Sequence, residues 1–569
     1  MTPEPVHLTT DVLVIGAGGA GMYAAIEAAR GGANVLLADR SLIGRGGATV
    51  MAMMTVAVAL GAEAPDDPSF HLADTLASGR GLCNEKLARL LCEEGPNCIR
   101  EMDDWGVGWA REGDAIKSAH APGHDRPRCV YVDFLNTGPA VSKTLRKVLH
   151  QHDDAVRRIG DLLIVDLIKT GDAVTGAVAL EISSGRPVTI AAKATIIATG
   201  GLTRLFRRNS ASFNMGGDGY ALALRAGARL FDMEFVQFFP IGHLAPRLIG
   251  LDPIMWDPFR YKLGGRLLNG NREEFTERYG TPEGGRYVIT RDAATYAITK
   301  EVAAGRGSPA GGAYLSFEHI SEAKLNEAFG PVIEKLKANG IDLTKMPIEV
   351  SPIAHYHMGG IAVDDHMQTG LPGLLAAGEA VGGANGANRL SGNAITEALV
   401  FGKRAGRSAA QHVSQGAGLP EMQGPDAEAA LELVRANTRA ADTLNTAAMI
   451  VELQAAMSDH AGPFKTDASL GQALAAITTL DARLGDRPPG APGAYDPQRI
   501  DWFDLRNMLL VARAVTESAR ARTESRGAHQ REDYPGMLDA WTCNQFVRLD
   551  GGGIAIDRGQ VRTSPEEVA

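Results

Sequence analysis

Cysteine is scarce in this chain: five in 569 residues, at 83, 92, 98, 129 and 543. None of the five pairs in the Cys-x-x-Cys spacing that holds zinc or an iron–sulfur cluster, so a metal site of that kind is not expected. They read instead as reduced core thiols of a reducing compartment. A basic surplus is also missing. The formal net charge of −10 leaves no concentrated cationic face for nucleic acid. The first ten residues carry Glu4 and two prolines and run straight into a strand, without the basic and apolar regions of an export signal. The uncharged stretch Gly47 to Gly61 falls short of the ~20 residues that span a bilayer. A cytoplasmic protein that is not integral to a membrane is expected. What the chain does have is 45% apolar residues and 67 glycines, enough for two or more domains rich in tight turns.

Asp11 to Ile15 is a continuous apolar strand, Met22 to Arg30 an alanine-rich helix, and Ala33 to Ala38 a second buried strand ending in Asp39. Between the first strand and the helix lies Gly16-Ala17-Gly18-Gly19-Ala20-Gly21, a G-x-G-x-x-G in the context that makes it a dinucleotide turn. Gly16 permits the turn, Gly18 lets backbone N–H groups approach a pyrophosphate, and Gly21 lets the helix pack on the strand. Asp39 can accept hydrogen bonds from ribose hydroxyls and repels a 2′-phosphate, which disfavours NADP. Ala198-Thr199-Gly200-Gly201 and Gly217-Asp218-Gly219 repeat glycine-based close approach at a second place, which suits a long flavin dinucleotide.

The rest of the chain divides by pattern. Pro68 to Arg111 reads mostly as helix, and Leu162 to Leu180 with Val188 to Thr199 as a β-meander. From Phe231 to about Val350 loops predominate, with short helices at Asp292 to Ala304 and Glu322 to Asn339. Ile395 to His412 looks helical, and Asp426 to Arg526 has helical periodicity interrupted by prolines at 487–497. The expected architecture is α/β: a discontinuous Rossmann-like FAD-binding domain (1–231 and 351–415), an inserted α+β capping domain (232–350), a helical C-terminal domain (425–530) and a tail (531–569).

The motifs resemble the flavoprotein subunit family of succinate dehydrogenase and fumarate reductase, which includes L-aspartate oxidase. The segments that carry the resemblance are the glycine turn, Arg45-Gly46-Gly47, Asn214 to Gly219, Thr290-Arg291-Asp292, His355-Tyr356-His357-Met358-Gly359-Gly360, Ala377-Gly378-Glu379, Asn388 to Ile395, and Glu524 to His529. It implies FAD held by Gly16, Gly18, Gly19 and Gly21, by Asp39 to Gly47 (Asp39, Arg40, Ser41, Gly46 and Gly47 among them), by Asp218 and Glu379, and by the backbone at Ala394 and Ile395. Thr199, Gly200 and Arg389 join that expected set. Respiratory members carry a histidine ahead of the Gly-Gly pair that bonds covalently to the flavin. Residues 40–45 contain none, so non-covalent FAD is expected.

In the family a hydride passes between the flavin and a carbon beside a carboxylate, while an arginine handles the proton on the opposite carbon. Arg291 matches that arginine, and His355 and Arg389 match two substrate-carboxylate ligands. An arginine fork fits a carboxylate bidentately. Arg291 pairing with Asp292, and His355 as an ordinary structural histidine, are the alternatives. His357, with Asp364, Asp365 and His366 near it in sequence, raises a metal site, but the flavin-family motif runs through it uninterrupted and no metal is expected.

One stretch departs from the family. Members that handle succinate or fumarate carry Gln-Phe-His-Pro-Thr-Gly, where this chain has Gln237-Phe238-Phe239-Pro240-Ile241-Gly242. The next family segment is replaced by Asp257 to Gly265, without its threonine and glutamate. Loss of two donors to one carboxylate costs roughly 1.5–3 kcal/mol each. Phe239, Ile241, Trp256, Phe259 and Tyr261 then either meet a larger, less polar substrate group or pack the cap, while His243, Arg260 and Lys262 could supply replacement cations. The expected protein is an FAD-dependent oxidoreductase acting on a small carboxylate other than plain succinate, with an iron–sulfur or other electron-transfer protein as partner. The alternatives are an aspartate-type oxidase, an adenylylsulfate-reductase-like enzyme, and an electron-relay subunit of a larger complex.

Overall fold

The computed structural model describes residues 4–62, 65–133, 135–248, 254–256, 260, 263–279, 291–416, 418–422, 424–438 and 444–561, without the side chains of 291 and 292. Contacts divide the chain into two units. One comprises residues 1–207, 211–235 and 356–569, the other 208–210 and 236–355.

The first unit is built on a seven-stranded sheet. Its order is Val156–Ile159, Val35–Ala38, Val6–Ile15, Arg186–Ile197, Ala173–Glu181, Leu162–Thr170, with Leu374–Ala376 also pairing with Arg186–Ile197. The strands next to Val6–Ile15 run parallel to it, and the meander is antiparallel. Val12, Leu13, Val14 and their partners Leu36 and Leu37 are buried, the continuous apolar run that a parallel strand covered on both faces requires.

Helix Gly19–Arg30 packs against helix Asn393–Ser414 at unusually close range. A Cβ on Gly402 would lie 2.5 Å from the Ala20 carbonyl oxygen, and one on Gly406 2.3 Å from that of Ala24. Only glycine lets the backbones meet there. The C-terminal helices Thr446–His460, Asp467–Leu484 and Pro497–Ala521 pack on one another, and the last also packs against Asp218–Ala226.

Two segments differ from the sequence expectation. Within 531–569, expected as a tail, residues Cys543–Asp550 and Gly553–Gln560 form a hairpin that joins Leu230–Phe231 in a four-stranded sheet. Glycines and charged residues at the turn and outer face mask its alternation. In the second unit, where loops were expected, Val236–Ala245 is a ten-residue strand in a sheet of order Val236–Ala245, Ile348–His357, Ala313–Ser316, Arg266–Leu268. Pro240 and the near-unbroken apolar run hide it from a search for alternation.

Candidate functional site

The glycine turn follows the first strand directly. Gly16 takes φ +100°, and a Cβ there would sit 2.5 Å from the Ala198 carbonyl oxygen. A Cβ on Gly21 would sit 1.8 Å from that of Gly16, whereas one on Gly18 would meet nothing within 4 Å. Gly16 and Gly21 therefore serve packing, and Gly18 faces open space. Helix Gly19–Arg30 starts with no side-chain cap and no acid in its first turn, so its dipole is left for an anion. Gly19 N donates to Thr49 Oγ1 at 3.2 Å.

Asp39 shapes this turn. Its Oδ2 accepts from Ala17 N at 2.7 Å and its Oδ1 from Ser41 N at 2.8 Å and Ser41 Oγ at 2.9 Å. Asn214 Nδ2 donates to Ser41 Oγ at 2.8 Å and packs on Gly46, where a Cβ would lie 2.5 Å away. Gly47 (φ +82°) donates its N–H to Ser212 Oγ at 2.7 Å and, like Gly18, faces open space.

Arg40 and Asp218 are engaged with each other. Arg40 Nη1 lies 3.1 Å from Asp218 Oδ2 and 2.6 Å from Asp504 Oδ1, and Arg204 Nη1 donates to Asp504 at 2.6 Å. Burial alone pushes the Asp504 carboxyl up, but the Arg40 and Arg204 charges outweigh it and hold it down; in Asp218 burial prevails and the carboxyl is raised. Gly200 (φ +74°) backs onto Met215, and the buried Thr199 hydroxyl has no hydrogen-bond partner among the described residues. That orphaned hydroxyl, with the open space over Gly18 and Gly47, is what a cradle for a polar ligand requires.

A second cluster surrounds the arginine turn. Arg389 is 5% exposed; its Nη1 donates to the Leu390 carbonyl at 3.2 Å and its guanidinium carbon lies 4.5 Å from the centre of the Tyr356 ring. The Tyr356 hydroxyl and Asn385 Nδ2 each donate to Glu397 Oε2 at 2.6 Å. The turn ends at Gly392 (φ +86°), which starts helix Asn393–Ser414 without a side-chain cap or first-turn acid, so Ala394 and Ile395 stand at an open helix N-terminus. Glu379 is buried; its Oε1 accepts from His357 N at 3.1 Å, and burial pushes its carboxyl up to about 8, with the Glu397 charge adding to the rise. His357 spends both ring nitrogens on protein atoms, Nδ1 on the Tyr220 hydroxyl and Nε2 on the Met233 carbonyl, both at 3.1 Å, and burial holds it down to about 4. Among the described residues no group of three or more His, Cys, Asp or Glu stands together to hold a metal.

In the second unit, His355 Nδ1 lies 2.7 Å from Ser210 Oγ and its ring 5.6 Å edge-on from Phe239. Arg291 opens helix Arg291–Ala303, but its side chain lies outside the described residues. Lys262, Phe259 and Tyr261 lie outside them as well. His243 is not a replacement cation: Trp256 Nε1 donates to its Nδ1 at 3.1 Å, which leaves the proton on Nε2, 2.5 Å from the Pro246 carbonyl. Ile241 and Trp256 are buried in this unit's core. Tyr356, Asn385, Glu397 and Ser210 escaped the sequence reading, although Tyr356 stands beside His355 and Asn385 inside the arginine turn. Glu397 gave no signal, because one acid in an apolar helix looks like its solvent face.

Residues 11–395 match the family described as FAD binding domain. The chain is 34% identical over 536 residues to a fumarate reductase (CoM/CoB) subunit of Methanothermobacter marburgensis, covering 93% of this chain and 95% of the relative. The chain belongs to the flavoprotein subunit family of succinate dehydrogenase and fumarate reductase. Residues 450–568 match the family's C-terminal part, described as Fumarate reductase flavoprotein C-term. L-aspartate oxidase of Streptomyces coelicolor is 31% identical, covering 95% of this chain and 92% of that protein. The structure of Mycobacterium smegmatis Sdh1 in complex with UQ1 superposes with a TM-score of 0.89 at 33% identity, covering 99% and 96% of the two chains. The protein is thus an FAD-dependent oxidoreductase of this family, and the open glycine cradle and orphaned Thr199 hydroxyl fit FAD. No helix among the described residues is long and apolar enough to cross a membrane.

Proposed function

We propose that this flavoprotein reduces or oxidises a carbon–carbon bond beside a carboxylate on a small organic acid less polar at one end than succinate. Bound FAD supplies the hydride acceptor and donor. Gly16 to Gly21, Asp39 to Gly47, Thr199, Gly200, Asp218, Glu379 and the N–H groups of Ala394 and Ile395 hold it, through backbone donors at two uncapped helix N-termini. The attachment is non-covalent, since no histidine stands between residues 40 and 47. Acid precipitation should therefore leave all the yellow flavin in the supernatant, and flavin retained in the pellet would overturn this.

The chain's residues bind and orient the acid. Arg389, with its fork, has the role of a carboxylate ligand, His355 that of a further carboxylate ligand, and Arg291 that of the proton carrier. The observation behind the altered substrate is Phe239, whose ring stands against His355 where the family motif has an imidazole. A phenyl group offers no hydrogen bond to a second carboxylate and prefers an apolar substituent. The test is anaerobic: chain reduced with limiting dithionite is mixed with fumarate, crotonate or cinnamate, and recovery of the oxidised flavin band is followed. Loss of two donors predicts fumarate slower than the best monocarboxylate by about 100-fold or more. Fumarate as the fastest oxidant would sink the proposal and restore a dicarboxylate pocket.

The reading of the chain as one component of a cytoplasmic electron-transfer assembly, with an iron–sulfur or other redox protein as partner, rests on relatives named as subunits. Full turnover of the isolated chain with a natural soluble reductant would argue against it.

A further inference from the structure

Arg389 presents a problem of position. A flexible, fully charged side chain must hold one orientation at the end of a glycine-rich turn while keeping N–H donors for a substrate. Contact with an aromatic face fixes the cation through the ring's negative π cloud and spends none of the in-plane donors on that contact.

The structure holds Tyr356 in place for this. The ring is 3% exposed, with the Arg389 guanidinium carbon 4.5 Å from its centre. Its hydroxyl donates to Glu397 Oε2 at 2.6 Å, and the same oxygen takes the Asn385 amide at 2.6 Å. Glu397 lies 1% exposed in the first turns of helix Asn393–Ser414. One carboxyl oxygen thus ties together a strand end, the arginine turn and the helix whose open N-terminus follows that turn. Asn393 Nδ2 lies 3.4 Å from Asn385 Oδ1 and extends the tie along the turn.

We propose that Tyr356 and Glu397 are positioning residues for Arg389, Glu397 anchoring the tyrosine hydroxyl and the tyrosine ring carrying the guanidinium that binds the substrate carboxylate. The inference rests on the reading of Arg389 as a carboxylate ligand. It adds a pH response. Burial pushes the Glu397 carboxyl up to about 7, against the hydrogen bonds from Tyr356 and Asn385 and the Arg389 charge. Facing it are Tyr356 from the strand end, Arg389 from the turn, Glu379 after strand Leu374–Ala376, and Tyr220 from helix Asp218–Ala226. The tyrosines stay neutral, their hydroxyls pushed well above the usual range by burial, and Glu379 titrates higher, at about 8. Ionised Glu397 offsets the Arg389 charge, so carboxylate affinity falls as pH rises through about 7.

The test is crotonate titration of the FAD-loaded full chain, read by the shift of flavin absorbance, with FAD content as the check on folding. Arg389→Ala should weaken crotonate about a hundredfold and Tyr356→Leu about tenfold, with the double variant no weaker than Arg389→Ala alone, because the ring acts only through the guanidinium. Glu397→Gln keeps an acceptor for Tyr356 and Asn385, so its affinity at pH 6 should match the wild type, while the decline between pH 6 and 8 disappears. A merely structural glutamate would not move that profile. Tyr356→Leu within about twofold of wild type, beside an impaired Arg389→Ala, would overturn the positioning role while leaving the Arg389 reading intact. An Arg389→Ala variant that binds crotonate normally would overturn both.

Discussion

At Asp39 one carboxylate accepts four hydrogen bonds, from Ala17 N, Ser41 N, Ser41 Oγ and, at 3.5 Å, Asn214 Nδ2, and so closes the glycine turn over the end of the second strand. These donors lie in or beside the segments proposed to face the cofactor, so the acid sets the shape of the proposed cradle. Asp39→Ala should weaken FAD binding at least about tenfold, since charge-assisted hydrogen bonds contribute roughly 1.5–3 kcal/mol each. Asp39→Asn, which retains one acceptor oxygen, should fall between; equal FAD affinity in all three proteins, by fluorescence titration of apoprotein, would refute the role. The sequence singled out Asp39 because a strand-ending acid after G-x-G-x-x-G suggests a ribose contact, whereas its bonds to Ala17, Ser41 and Asn214 depend on the fold. Tyr356 and Glu397 were not legible, since their pairing depends on the strand end, the turn and the helix meeting in space. His243 misled for the reverse reason: its charge was visible in the sequence and its Trp256 and Pro246 partners were not.

The paired helices Gly19–Arg30 and Asn393–Ser414 show how an element's sequence carries packing rather than propensity. Gly402 and Gly406 weaken helix formation by about 1 kcal/mol each relative to alanine, yet both stand where a Cβ would overlap the facing backbone. Gly406→Ala should destabilise the protein by about 1–3 kcal/mol through overpacking and, because both helix N-termini belong to the proposed cradle, release flavin on gentle warming. Gly471, in helix Asp467–Leu484, has nothing within 4 Å of a Cβ and no positive φ; there the same change should stabilise by about 0.5–1 kcal/mol. Opposite shifts in thermal midpoint check both, and a common sign would show that helix propensity alone governs these sites. Helices were the elements best read from sequence: Asp292 to Ala304 was expected and Arg291–Ala303 found, Glu322 to Asn339 expected and Glu322–Ala338 found. Strands with a proline or with both faces buried, such as Val236–Ala245, lack the alternation that would reveal them.

Across the whole molecule, buried titratable groups make stability depend on pH in opposing ways. Burial pushes the carboxyls of Glu379 and Glu397 up to about 8 and about 7, and raises that of Asp232, where the Glu234 charge adds to the rise. In the unfolded chain these acids ionise at their ordinary lower values, so their stabilisation is complete at acid pH and is lost as pH rises through the folded values. Burial holds His71 down to about 3, and His124 and His357 down to about 4. Their contribution is present above the ordinary histidine value and is lost as pH falls towards the folded ones. Between about pH 4.5 and 6.5 the two trends oppose each other. Above that the histidines are neutral in both states and the carboxyls decide. Lys465, held down to about 7 by burial and the Arg531 charge, pulls the other way only from about pH 7 upward, one group against Glu379 and Asp232. The flavin-free chain should therefore lose a few kcal/mol between pH 6.5 and 8, at about 1.4 kcal/mol for each tenfold difference in proton affinity between folded and unfolded chain, seen as a falling urea midpoint. In Glu397→Gln the fall should be shallower near pH 7, because one titrating acid has gone while its acceptor oxygen remains. A midpoint that rises from pH 6.5 to 8 in the wild type would show that these carboxyls ionise inside the fold at their ordinary values, and would remove the basis for a Glu397-dependent pH response.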